Sequence, residues 1–549
     1  MKKIILLITF AFVATFIANA QKDIVGTPYT FNHNDISLAV DRIDLPAFDK
    51  EELMAEDAIR AKEGAPMRIG AGHLVSYNFN NSGRKDILPD GSTLWRLTLH
   101  SPDAVAMAVF FSTFNLPEGA TMHIYSGDRK QLTGTYTAED IQPNGVMPSE
   151  FIIGDELTLE YHEPADVPFH GVIEIDRVTH IYRTFAETQD DPKGSVDDAG
   201  DCHYHAVCPV GAAWRDQRNS VVRITITGSD GASYFCSGAL INNVRMDKTP
   251  YVLSANHCLA GQNCAFRFDF FYQFMNCDGT GLSPAKFVSG GEIKAMISYS
   301  SETGTNTSSD FLLLRITKDI TNKPWSDSLY FAGWDASGAS SVGLAIHHPA
   351  GARKRISFPR LVSSYNTKYW SVSWYTNPNR GCTEQGSSGS PLFNANKLII
   401  GDLSSGSSAC DYTSGKDYYG KLSYSWTNNN NSDNGKKLKP WLDPDNTGTL
   451  VLPGMDIHGV VGVRDNSSHI RYFNVSPNPS NGNVTVKGSF SENNGICNVY
   501  NAMGMLVYSE DISLAPTFNL NLSHLNHGIY FVEINDGGQV YRSKVVIAQ

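Results

Sequence analysis

Gly386-Ser387-Ser388-Gly389-Ser390-Pro391-Leu392 is a glycine–serine turn that runs straight into an apolar strand. A serine hydroxyl in such a turn is a weak nucleophile at neutral pH. It needs a histidine to take its proton and a carboxylate to fix the imidazole tautomer and stabilise the imidazolium. Both residue types lie upstream in suitable settings. Tyr251-Val252-Leu253-Ser254-Ala255-Asn256-His257-Cys258 is an apolar strand delivering a histidine beside a cysteine. Ser309-Asp310-Phe311-Leu312-Leu313-Leu314 opens a strand that reads as buried with an acid. Gly386 can take backbone angles closed to other residues. Its N–H and that of Ser388 can then converge on one point, as an oxyanion hole requires. Each segment alone has an ordinary explanation: a structural histidine, a strand cap, a loop. Together, in the order His257, Asp310, Ser388, they point to covalent catalysis with base, orienting acid and nucleophile in those roles.

The rest of the chain frames this constellation. At roughly 150 residues per domain, 549 residues hold three or four folded units. Hydrophobic residues make up 41% and charged residues 18%, enough apolar material for ordinary cores. The net charge of −12 and the lack of a long basic run argue against a nucleic-acid partner, which would need a cationic face. Apolar residues come in short alternating bursts separated by 47 Gly and 25 Pro, so the expected fold class is all-β.

Residues 1–20 read as a signal peptide. Lys2 and Lys3 precede the apolar run Ile4 to Ile17, and Ala18-Asn19-Ala20 is a small-x-small cleavage site. Export then favours disulfides among the nine cysteines, and no membrane span is expected in the mature chain. Residues 21–193 lack cysteine and carry strand patterns such as Leu94-Trp95-Arg96-Leu97-Thr98-Leu99, after one helical candidate from Glu51 to Lys62. They read as an N-terminal β-sandwich, followed by a polar, acidic linker from Glu187 to Asp201. The cysteine-bearing unit spans 194–454 and a linker spans 455–469. The last unit, 470–549, alternates as a second, smaller β-sandwich. Cys202-His203-Tyr204-His205 and Cys208 gather potential zinc ligands, but their spacing is unlike that of structural zinc sites. No loop is dense in Asp and Asn in the manner of an EF-hand, and neither metal nor cofactor is expected.

The central unit resembles the bacterial lysyl endopeptidases, serine proteases of the chymotrypsin fold. The segments that carry the resemblance are FCSGALI (235–241), VLSANHC (252–258), SDFLLLRI (309–316) and TEQGSSGSP (383–391). CHYHAVCP, GWDAS, IHHPAG and WLDPDNTG support it between 194 and 454. The resemblance implies a double six-stranded β-barrel with His257, Asp310 and Ser388 as the triad and the N–H groups of Gly386 and Ser388 as the oxyanion hole. It implies the bridges Cys202–Cys410, Cys208–Cys277 and Cys236–Cys258. Cys264 and Cys382 lie outside these three pairs, and a fourth bridge between them is an open alternative. It also makes Asp417, in Lys416-Asp417-Tyr418-Tyr419-Gly420-Lys421, the acid that receives a substrate lysine, with Asp411 and Glu384 as rivals. Trp370 and Trp374 are candidates for pocket walls or for core. The family often has His where Ser404 stands, and Lys416 replaces a small polar residue. Both departures bear on rate, pH range or Lys-over-Arg preference.

The last unit resembles the C-terminal sorting domains of the Bacteroidetes type IX secretion system, through FNVSPNPSNGNVTV, VYNAMGMLVYS and LNLSHLNHGIYFVEI. This implies secretion-machinery partners and carriage through the periplasm and across the outer membrane, to the medium or the cell surface. The sequence therefore predicts a secreted serine endopeptidase cutting protein or peptide substrates after lysine, with an N-terminal propeptide. The alternatives are broader Lys/Arg or other specificity, and an inactive protease-like adhesin.

Overall fold

The computed structural model describes residues 26–33, 36, 40–140, 147–183, 199–261, 263–281, 283, 286–297, 308–375, 381–411, 414–428, 431–459, 473–488, 494–501, 506–513, 515, 517–535 and 540–548. The signal-peptide segment, Lys193, Gly194 and most of both linkers lie outside these residues. The chain divides into two compact units, Met1–Arg464 and Asp465–Gln549. Strands dominate both, as the all-β reading expects. The longest helix among the described residues is Lys50–Lys62, capped by Asp49, whose carboxylate accepts from the N–H groups of Glu51 and Glu52.

The first unit begins with a β-sandwich. One sheet orders the strands Arg42–Asp44, Thr93–His100, Glu156–Glu163, Thr121–Ser126 and Leu132–Tyr136. Its partner contains Met67–Tyr77, Val172–Ile181 and Ala106–Asn115. The two-residue period of the pleat explains the pattern: Trp95, Leu97 and Leu99 all enter the shared core with Val109, Phe111, Ile124 and Leu159. The second sheet does not stop at the sandwich. Strand Met67–Tyr77 also pairs with Ser233–Ile241 of the next domain, Ser233 opposite Gly70 and Phe235 opposite Met67, making one sheet of twelve strands.

Two closed barrels follow. In the first, Ala265–Phe270, Val221–Thr227, Ser233–Ile241, Tyr251–Ala255 and Phe311–Ile316 pair in that order. Lys286–Ser289 and Gly291–Met296 close the ring. They are one strand bent at Gly290 (φ 112), whose halves pair with Ala265–Phe270 and with Phe311–Ile316. The second barrel uses the same device. Arg355–Ser357 and Pro359–Ser364, separated only by Phe358, pair with Leu344–His347 on one side and Tyr369–Trp374 on the other. Pro391–Phe393, Ile399–Gly406 and Lys416–Lys421 complete that ring. Counting each bent strand once, both barrels have six strands.

The apolar run Phe311-Leu312-Leu313-Leu314 is buried on both faces. Leu312 and Leu314 fill the first barrel, while Phe311 and Leu313 join Leu344, Ile346, Phe393 and Ile399 in the core between barrels. The second unit is a separate sandwich. Phe473–Ser476, Asn483–Gly488 and Thr517–Asn521 face Leu506–Ser513, Asn494–Asn501, Gly528–Asn535 and Val540–Ile547, around Val486, Val499, Val532, Ile534 and Val545.

Candidate active site

His257 sits in a single 3-10 turn, Asn256–Cys258, at the end of strand Tyr251–Ala255. The bridge Cys236–Cys258 ties that turn to the neighbouring strand. Asp310 immediately precedes Phe311–Ile316, the strand paired with Tyr251–Ala255, with Ala255 opposite Phe311. Histidine and acid are therefore neighbours across one ladder. Asp310 adopts φ 61, a left-handed conformation that aspartate tolerates better than most residues. There it faces back over the turn: its Oδ1 accepts from the His257 backbone N–H (2.9 Å) and its Oδ2 lies 2.7 Å from His257 Nδ1.

Ser388 reaches the pair from the second barrel, its Oγ 2.8 Å from His257 Nε2. With Nδ1–H donating to a carboxylate, Nε2 is left to accept the serine proton. Asp310 is fully buried, His257 nearly so, and Ser388 half-buried. Burial disfavours charge on His257. The Asp310 charge and hydrogen bond outweigh it and raise the imidazolium pKa above its usual 6.5. Ser404 completes the shell, its Oγ donating to Asp310 Oδ2 at 2.7 Å. The sequence marked Ser404 only as a departure from a family histidine, and nothing in Leu403-Ser404-Ser405 signals this contact.

Gly386 has φ +86, and a side chain there would place its Cβ 2.6 Å from the Gly351 nitrogen. Among the described residues the backbone N–H groups of Gly386 and Ser388 donate to nothing, so both are available to an incoming oxyanion. The turn is held from the first barrel by Ser237, whose N–H donates to the Ser388 carbonyl (2.8 Å) and whose hydroxyl donates to that of Gly386 (2.9 Å).

Asp417 lies on strand Lys416–Lys421 and is fully buried. Its carboxylate accepts from Trp374 Nε1 (2.6 Å), Thr383 Oγ1 (2.6 Å), the Ser408 backbone N–H (3.2 Å) and the Ser408 hydroxyl. Burial raises its pKa against the pull of these donors. All four donors are neutral, and no cation pairs with it among the described residues. Gly406 runs alongside, where any side chain would collide with this carboxylate. Trp374 thus belongs to the acid's surroundings. Trp370 is core, donating to the Ile400 carbonyl. Asp411 and Lys416 are exposed; Glu384 is half-buried, holding the Gly200 N–H.

Disulfides join Cys202–Cys410, Cys208–Cys277 and Cys236–Cys258. A fourth bridge does not form. Cys264 packs in the first barrel and Cys382 in the second, where its sulfur lies 3.8 Å from that of Cys202. Burial raises both thiols, Cys264 to about 11.

Three family profiles match the chain: the lysyl endopeptidase N-terminal domain over residues 44–182, the lysyl endopeptidase C-terminal domain over 196–420, and the secretion system C-terminal sorting domain over 474–548. A lysyl endopeptidase of Pseudomonas aeruginosa is 25% identical over 373 residues, covering 64% of this chain and 77% of that protein. Among solved structures, a Glu endopeptidase in complex with MPD (19% identity, 41% of this chain and 93% of that one, TM-score 0.27) is similar. So is the protease Anisep from Arthrobacter nicotinovorans (18%, 37% and 90%, TM-score 0.27). The sorting domain marks the chain for export through the type IX system to the secreted or cell-surface state. No helix among the described residues is long and apolar enough to cross a membrane.

Proposed function

We propose that this lysyl endopeptidase-like serine endopeptidase, which carries a secretion-system sorting domain, hydrolyses peptide bonds on the carboxyl side of lysine through an acyl-enzyme. The Ser388 hydroxyl attacks the scissile carbonyl as His257 Nε2 takes its proton. Asp310 holds the tautomer and stabilises the imidazolium that forms. The N–H groups of Gly386 and Ser388 receive the oxyanion. His257 then protonates the leaving amine, and water repeats the sequence to release the product acid.

The observation that carries lysine specificity is Asp417: a buried carboxylate held by four neutral donors, with no cation of its own among the described residues. Such a group gains most when a desolvated ammonium completes the pair. We further propose that residues 21–193 are a propeptide and that the enzyme cuts its own chain after Lys193. The N-terminal domain already touches the catalytic turn, where Gln385 Nε2 donates to the Ala65 carbonyl at 3.0 Å.

The test is Ser388→Ala. The purified variant should remain folded and lose turnover by about 10⁴ or more. N-terminal sequencing should find Gly194 as the new terminus in wild type only. Near-normal peptidase activity would remove Ser388 from the mechanism. Normal maturation of the inactive variant would assign the cut to another protease.

A further inference from the structure

The turn that supplies the oxyanion hole is gripped from its second-barrel side by a histidine outside the triad. His347 ends strand Leu344–His347 and is fully buried, as are Ser387 and Ser357. Its Nδ1 lies 2.7 Å from Ser387 Oγ and its Nε2 2.8 Å from Ser357 Oγ. Ser387 Oγ also accepts from the Glu384 backbone N–H at 3.1 Å, and Ser357 Oγ donates to the Cys382 carbonyl at 2.9 Å.

These contacts fix every proton. A carbonyl only accepts, so the Ser357 hydrogen points to Cys382 and its oxygen must accept from His347 Nε2–H. Nδ1 is then bare and accepts from Ser387. The relay starts at Glu384 and ends at Cys382, so it closes a ring around residues 382–387, the segment that leads into Gly386 and Ser388. Only a neutral imidazole with its hydrogen on Nε2 fits the ring. Burial, reinforced by the neighbouring His203 and Arg355, keeps the ring neutral by pushing its pKa well below 6.5.

We propose that His347 is a positioning residue for the reaction: through Ser387 and Ser357 it clamps the turn that presents the Gly386 and Ser388 N–H groups to the oxyanion. This rests on the Ser388 acyl-enzyme reading. Donors of this kind act through placement, because they must already point at the charge that develops in the transition state. A loosened turn should therefore weaken binding of the transition state more than binding of the substrate.

The experiment compares wild type and His347→Ala on three measurements, each normalised to folded protein. They are turnover of a lysyl amide, inhibition by a peptide aldehyde ending in lysinal, and inhibition by n-butylamine. The aldehyde forms a tetrahedral adduct with an oxyanion, whereas butylamine only fills the lysine site. The clamp predicts that kcat falls on the order of 10–10², that the aldehyde Ki rises by a similar factor, and that KM and the butylamine Ki stay within about threefold. Unchanged kcat overturns it. So does a fall in kcat without weaker aldehyde binding, or an equal loss of butylamine binding, which is what general loosening would give.

Should His347→Ala fail to fold, Ser387→Ala and Ser357→Ala cut the ring on either side. Each should show the same split, and the double variant should be no worse than the worse single, because one cut already opens the relay. Normal kcat in both single variants overturns the clamp. Failure of the underlying reading would show separately, as activity surviving Ser388→Ala.

Discussion

Asp310 and Asp417 are both buried carboxylates of the catalytic unit, and their surroundings satisfy them in opposite ways. Asp310 meets the His257 imidazole, the group that the proposed mechanism turns into a cation, with Ser404 and the His257 backbone filling its remaining sites. Asp417 has only neutral donors. The first acid is complete within the protein. The second, in the proposed function, is completed by a cationic substrate. On the proposed mechanism, one sets the rate for every substrate and the other sets which substrate is preferred.

The sharpest test of this division is Asp310→Asn. An amide cannot hold the required tautomer or stabilise the imidazolium, so turnover should fall about 10⁴ on lysyl and leucyl substrates alike. Their ratio should not change. The pH profile adds a second readout. His257 must be neutral to act, and Asp310 holds its pKa above 6.5, so the acid limb of kcat/KM in wild type should have its midpoint above 6.5. Without the charge that midpoint should move down. A variant that keeps the midpoint, or alters the Lys-to-Leu ratio, would break the separation of roles.

Asp417→Asn should have a smaller and selective effect. Shape and most hydrogen bonds survive but the charge does not, so kcat/KM for lysyl substrates should fall on the order of 10²–10⁴. Leucyl substrates should lose far less. Arginyl substrates are the internal control, because a planar guanidinium asks for a two-pronged carboxylate contact. The Asp417 oxygens are already occupied by Trp374, Thr383 and Ser408, leaving little room for one. An unchanged Lys-to-Leu ratio would turn attention to Glu384, since Asp411 is exposed.

The residue types for this chemistry were legible in the sequence because each lies in a short local pattern: a histidine ending an apolar strand, an acid opening another, a glycine–serine turn. Strands were legible through the two-residue period, whereas the barrels were legible only through the family segments. What escaped notice depends on contacts between distant segments. Ser404 becomes a support of Asp310 only because strand Ile399–Gly406 passes beneath it, 94 residues along the chain. His347 sits in a family segment, but its bond to Ser387 arises from the closure of the second barrel.

The seam between the N-terminal sandwich and the first barrel was equally invisible. Nothing local in Met67–Tyr77 says that this strand pairs with Ser233–Ile241. There Arg177 donates to the Gly228 carbonyl (2.8 Å) and Thr179 to that of Gly231 (2.8 Å). Met67, Ile69 and Ile181 pack on Phe235, with Ala350 from the loop behind Gly386 against the same cluster. The C-terminal core, by contrast, gathers residues of the second unit, from Val475 to Ile547.

A third buried acid extends the comparison to its limit. Asp402 is fully buried, and neither carboxyl oxygen has a hydrogen-bond partner among the described residues. Burial, then the nearby Asp310 charge, push its pKa well above the usual carboxylate range. It is therefore harder to ionise in the folded chain than in the unfolded one, where a carboxyl titrates near pH 3.9. Between that pH and the raised folded value the native state binds more protons, so stability falls as pH rises through the window.

Asn is nearly isosteric with the neutral acid and carries no such cost. Asp402→Asn should therefore melt above wild type at pH 7, each kcal/mol appearing as about 2–4 °C. The gap should close as pH falls toward about 4, where the unfolded wild-type acid is protonated too. Turnover at pH 7 should stay within about threefold, the smallest effect of the three acids, because a neutral group adds no charge for His257 to feel. A large loss of turnover would mean that Asp402 is ionised and shares the work of Asp310, and the contrast between a complete acid and a waiting one would have to be redrawn around a pair.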